Sequence, residues 1–111
     1  MSIGNLNLYA PYFRHTYREV LVNGTRTQVV SADHYRVAII FGCNPTTPSS
    51  FLTLAPASNG SSAAGIILTS TTPNYEISYT NLGYLSTVDW WANTGSPSLT
   101  LAVIEVFYKI E

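Results

Sequence analysis

Between Leu99 and Ile110 the chain runs without a glycine or proline, and its side chains alternate along an extended backbone. Leu99, Leu101, Val103, Glu105 and Phe107 fall on one face; Thr100, Ala102, Ile104, Val106 and Tyr108 fall on the other. A period of two over such a length specifies a strand and is incompatible with an amphipathic helix. The rest of the chain repeats the theme in shorter pieces. Strands are expected at Tyr17–Val22, Thr25–Val30, Tyr35–Phe41, Phe51–Leu54, Gly65–Thr69, Tyr75–Thr80 and Tyr84–Ala92, each bounded by Gly, Pro or Asn. No segment carries a 3.6-residue apolar period with caps. The pattern predicts an all-β fold: a single antiparallel β-sandwich, jelly-roll-like, of seven to eight strands.

Three local readings refine this. Asn23-Gly24 between two strand-like runs predicts a β-hairpin with a two-residue type I′ turn, because both central residues of that turn need positive φ. Tyr35 to Phe41 is a short continuous apolar run and predicts a strand buried on both faces. Residues 1–15 predict an extended N-terminal arm ahead of a sandwich domain over residues 16–111. The arm carries Tyr9, Tyr12 and Phe13, which makes packing on its own domain or on a neighbouring subunit the expected outcome.

A chain of 111 residues is one domain and can bury about two-thirds of its surface without disulfides or metal. Charged residues are only 10% of it, against about 25% in an average soluble domain. Ser, Thr and Asn take their place, with 33 of 111 positions. A low net charge of −1 weakens repulsion between copies and favours assembly. There is no run of Lys and Arg to neutralise phosphates, which argues against a nucleic-acid partner. No apolar stretch has the ~18 residues that a membrane helix needs, and no charged segment followed by an apolar run marks a signal peptide. Cys43 is the only cysteine, so no internal disulfide can form, and folding in a reducing compartment is expected.

Catalytic chemistry finds little to work with. His15 and His34 belong to no metal-ligand spacing, and nothing resembles a nucleophile elbow. The six carboxylates show no pairing across a cleft of the kind a glycosidase needs. No catalytic, metal or cofactor site is expected, and the chain reads as a non-enzyme. Glu105 stands out because Ile104 and Val106 flank it in an apolar strand. A lone buried carboxylate is costly, and Arg36, which also interrupts an apolar run, is the candidate partner for a structural ion pair. Trp90 and Trp91 should face opposite ways, one into the core and one outward. An outward Trp can stack on a sugar ring, anchor a protein interface, or lie beneath the arm or a loop. The candidate interface residues are Tyr9, Tyr12, Phe13, Trp90 and Trp91.

Three segments carry a family likeness: Tyr35-Arg36-Val37-Ala38-Ile39-Ile40-Phe41-Gly42; Gly83-Tyr84-Leu85-Ser86-Thr87-Val88-Asp89-Trp90-Trp91-Ala92; and Leu101-Ala102-Val103-Ile104-Glu105-Val106-Phe107-Tyr108. Over roughly residues 17–110 the chain resembles small β-sandwich virion proteins of tailed bacteriophages, including head decoration (cement) proteins and head-fibre or spike modules. Such proteins often carry Asn before the Arg of the buried strand, where this chain has Tyr35. The resemblance implies no catalytic residues. It implies a homo-oligomer, commonly a trimer, bound to a major capsid protein on the virion surface and made in the host cytoplasm. The alternative expectation is a carbohydrate-binding or adhesion module of lectin-like type.

Overall fold

The computed structural model describes residues 13–24, 26–45, 50–56, 65–94 and 98–108. Eight strands run in order β1 (Phe13–Val22), β2 (Thr27–Val30), β3 (Arg36–Cys43), β4 (Leu52–Ala55), β5 (Ile66–Leu68), β6 (Asn74–Ser78), β7 (Trp90–Thr94) and β8 (Leu99–Tyr108). One turn of helix, α1 (Tyr79–Leu82), and a 3-10 turn (Gly83–Thr87) lie between β6 and β7. The strands form two four-stranded antiparallel sheets, with orders β1-β8-β3-β6 and β2-β7-β4-β5. The chain is therefore all-β and built of two sheets. Its first half meets its second half in reverse order: β1 pairs with β8, β2 with β7, β3 with β6 and β4 with β5.

The core lies between the sheets. Ile39, Phe41, Ile77, Leu101 and Val103 enter it from one side, and Leu52, Leu54, Leu68 and Trp90 from the other. Each is excluded from water, which stabilises the fold by about 1.5–3 kcal/mol per large side chain. The Trp90 indole N–H, buried with its ring, donates to the Leu85 carbonyl at 2.8 Å.

Several expectations need correction. Residues 17–30 do not form a hairpin: β1 and β2 lie in different sheets, and the chain crosses between them at Asn23-Gly24. Gly24 alone has positive φ (82°), so the turn is not type I′; its N–H is held by the Thr94 hydroxyl at 2.8 Å. Long-range pairing of β1 with β8 over ten residues outweighs the local turn signal. Tyr79 and Thr80 leave the strand for α1, because Ser78 caps it: the Ser78 hydroxyl accepts from Asn81 N–H, and the Asn81 side chain accepts from Ser78 N–H. Tyr84 to Thr87 is helical 3-10 backbone rather than strand. β3 is deeply buried on its inward face only; its outward Ala38 and Ile40 are half-buried. Phe13, Arg14 and His15, placed in the arm by the sequence reading, begin β1.

Candidate functional site

Two features concentrate the unusual side chains: a charged cluster inside one edge of the sandwich and an apolar face outside the β1-β8-β3-β6 sheet.

The cluster forms because of a β-bulge. On β3, Ile39 lies opposite Glu105 and Ala38 opposite Val106, but Arg36 lies opposite Phe107, so Val37 is the extra residue. Strict alternation from Ile39 would send Arg36 to the outward face. The bulge turns it inward, where its side chain is 0% exposed. Arg36 Nη1 meets Glu105 Oε2 at 2.8 Å and the Ser31 carbonyl at 2.7 Å. Its Nε donates to the Ser86 carbonyl at 2.7 Å and its Nη2 to the Val88 carbonyl at 2.6 Å. The second carboxylate oxygen, Glu105 Oε1, takes Arg18 Nη1 at 2.6 Å and, at 3.4 Å, the Thr16 hydroxyl. Arg18 also donates to the Val29 carbonyl.

The structure thus brings Arg36 and Glu105 together and adds Arg18, whose part in the cluster no local sequence pattern marks. Burial pulls the Arg36 guanidinium below its ordinary value, and Glu105 opposes that shift. Every oxygen and nearly every N–H of the pair is engaged, so the cluster is a clamp between the two sheets and offers no free acid or base.

The outward face is the second feature. Side chains directly opposite in an antiparallel pair share a face. Phe13, Tyr17 and Leu21 of β1 therefore lie beside Tyr108, Ile104 and Thr100 of β8, and Ala38 and Ile40 of β3 beside Val106 and Ile104. The centre of this surface is Ile40, Ala102, Ile104 and Val106, all half-buried. Its border includes Tyr17 (58% exposed), Leu21 (63%) and Tyr108 (54%). Antiparallel sheets with one wet face ordinarily alternate apolar-in and polar-out. Here the only charged side chains on the β1 and β6 flanks are Glu19 and Glu76.

At one end the face deepens into a groove of about 500 Å³. Its walls are mainly apolar, from Phe13, Val37, Ala38, Tyr79 and Tyr108, with Ser78, Thr80 and Thr87 also lining it. Phe13 stacks on Tyr108 with ring centroids 5.4 Å apart and 23° between planes. His34 also borders the groove, its ring tilted against Tyr35 at 4.2 Å.

The remaining candidates are placed as follows. Trp90 is 1% exposed and packs against Phe41, so it serves the core. Trp91 points out of the other sheet and is half-buried. Tyr9 and Tyr12 lie outside the described residues. Sequence reasoning missed Tyr79, Tyr108 and Ile104 as surface residues. The signal lies in β8, whose two faces are both apolar, so that strand alternation alone does not name the outward one. Among the described residues there is no group of three or more His, Cys, Asp or Glu able to hold a metal ion, and no helix is long and apolar enough to cross a membrane. Comparison of the chain with protein-family models, with curated proteins and with solved structures finds no match to any of them.

Proposed function

We propose that this chain is a non-enzymatic structural subunit of a virus particle, a capsid decoration or cement protein that binds a major capsid protein as a homo-oligomer, with a trimer as the expected state. The observation that carries the reading is the apolar outward face around Ile40, Ala102, Ile104 and Val106, ringed by exposed Tyr17, Leu21 and Tyr108. A ten-residue strand at ~3.3 Å per residue, across three strand spacings of ~4.8 Å, gives a face of roughly 500 Å². A partner surface laid on this face removes about 1,000 Å² in all from water, the lower bound for a specific interface. The sparse charge of the chain favours such contact. The reversed pairing of chain halves supports the jelly-roll reading of the sandwich, an architecture found in viral capsid and lectin domains. The likeness to tailed-phage head proteins over residues 17–110 points the same way. A single buried thiol and no possible internal disulfide suit synthesis in a host cytoplasm before display on the virion surface.

The test is the solution mass by light scattering across a dilution series, for the wild-type chain and for Ile104→Glu. The expected result is an oligomer that Ile104→Glu dissociates while its melting temperature stays within a few degrees. A wild-type chain that is monomeric at millimolar concentration overturns the homo-oligomer.

A second reading, a carbohydrate-binding or adhesion module, is favoured by one observation: the groove is lined by the aromatic residues Tyr79, Tyr108 and Phe13, whose rings suit stacking on a sugar ring. Half-buried Trp91 is a lesser candidate, and buried Trp90 is not one. A flat response across a broad glycan panel removes this reading.

A further inference from the structure

We infer that Asn23-Gly24 is a latent deamidation site, at which the attacking nitrogen of Gly24 is held back by its hydrogen bond to Thr94. The inference does not rest on the virion reading. The pair lies where the chain crosses from β1 to β2, and both residues are exposed to water. Asparagine followed by glycine is the chemically labile order, because glycine has no side chain to crowd its own nitrogen. Ser98 Oγ donates to Asn23 Oδ1 at 2.6 Å, which draws charge onto the oxygen that becomes negative when the amide is attacked. The electrophile is therefore polarised. The nucleophile is not free: the Gly24 N–H donates to Thr94 Oγ1 at 2.8 Å, and Thr94 is only 3% exposed. That nitrogen attacks only after losing its proton, and here the proton sits in a bond to a buried hydroxyl.

Water is the only co-reactant the step needs. Hydroxide takes the Gly24 proton, and the electron pair left on nitrogen forms a bond to Asn23 Cγ. The bond from Cγ to Nδ2 then breaks, and Nδ2 takes up a proton and leaves as ammonia. Water adds to either carbonyl of the cyclic imide and opens it, giving aspartate on one side and isoaspartate on the other. Nothing is oxidised or reduced. Either product adds one negative charge to a chain whose net charge is −1. Isoaspartate also lengthens the main chain by one carbon at the crossing between the two sheets. The brake itself is tertiary. Thr94 lies 70 residues further on, at the end of β7, the strand with which β2 pairs. Local opening of the crossing away from β7 releases the Gly24 N–H and lets the reaction proceed.

The experiment ages the wild-type chain, Thr94→Val and Thr94→Ser at mildly alkaline pH, in buffer and in urea, and follows deamidation by mass spectrometry. Cleavage after Arg18 and Arg26 yields residues 19–26, which separates Asn23 from Asn59 of the other Asn-Gly pair. The wild-type chain is expected to deamidate at Asn23 several-fold more slowly in buffer than in urea. Thr94→Val keeps the shape and removes the acceptor, so in buffer it should react roughly five-fold faster than wild type, as loss of one hydrogen bond allows. Thr94→Ser should stay near the wild-type rate, and in urea all three should agree. Equal rates for wild type and Thr94→Val in buffer overturn the inference, as does a wild-type rate no slower in buffer than in urea. Thr94→Ser reacting as fast as Thr94→Val shows that the hydroxyl is not the brake and overturns it too. Hydrogen exchange of the Gly24 amide in the wild-type chain guards against a variant that fails to fold. Protection is expected there, and exchange as fast as in the urea-unfolded chain overturns the inference without any substitution.

Discussion

Arg36 and Glu105, 69 residues apart in the chain, form a 2.8 Å ion pair inside the sandwich, and the same carboxylate holds Arg18 at 2.6 Å. Burying these charges costs free energy that their mutual attraction and the surrounding carbonyls offset only as a complete set. Removing one member should therefore be severe. Glu105→Gln leaves the fully buried Arg36 charge uncompensated, and we expect a loss of about 3–5 kcal/mol in urea unfolding. Arg36→Met strips the donor from the Ser31, Ser86 and Val88 carbonyls and should cost at least as much. The two losses should not add. A double-mutant cycle is expected to return a coupling of about 1–3 kcal/mol, whereas additivity would show that the contact carries no energy of its own.

The tryptophans should separate in both energy and spectrum. Trp90 fills the core between the sheets, so Trp90→Ala is expected to cost about 3–5 kcal/mol. Trp91→Ala at its half-buried position should cost about 1 kcal/mol. Trp90→Phe, which leaves Trp91 as the sole indole, should shift the emission maximum of the folded protein to the red. Equal costs for the two alanine variants would contradict the inward and outward assignment.

Glycine is needed at Gly65 for two reasons. Its φ is 118°, and an added Cβ would sit 2.3 Å from the Leu54 carbonyl oxygen, a backbone atom of the neighbouring β4 strand that cannot swing aside. Gly65→Ala should lower stability by about 2–4 kcal/mol. Gly24 also has positive φ but open space around it, so Gly24→Ala should cost only about 1 kcal/mol. Thermal melts of the two variants measure the difference directly.

Burial raises the Cys43 thiol above its ordinary value of 9.0, and a backbone hydrogen bond near Asn44 opposes the shift in part. Below pH 9 both folded and unfolded chains keep the thiol proton, and the group contributes no pH dependence. Above it the unfolded chain loses the proton while the folded chain retains it, so unfolding is favoured as pH rises. The wild-type chain should thus lose more stability between pH 7.5 and 9.5 than Cys43→Ala, a comparison in which the tyrosine titrations cancel. Identical losses would mean that the thiol ionises as freely in the fold as outside it.

The sequence by itself determined the strands and their faces. Alternation is a property of a strand's own side chains, so Leu101, Val103, Glu105 and Phe107 could be assigned to one face of β8 without knowing any neighbour, and Trp90 could be separated from Trp91. Charge costs in an apolar strand likewise made Arg36 and Glu105 natural partners. The tertiary structure decided what those strands pair with. Asn23-Gly24 favours a local hairpin by itself, yet β1 gains ten paired positions on β8, nearly 80 residues away, and β2 goes to the other sheet. The bulge at Val37 is equally invisible locally: regular alternation would turn Arg36 outward, and only the register against β8 brings it to Glu105. Arg18 joins them because β1 lies beside β8, not because of anything in its own neighbours. Alternation is encoded residue by residue, whereas partner and register depend on the summed burial of whole faces that meet only when the two sheets close on each other.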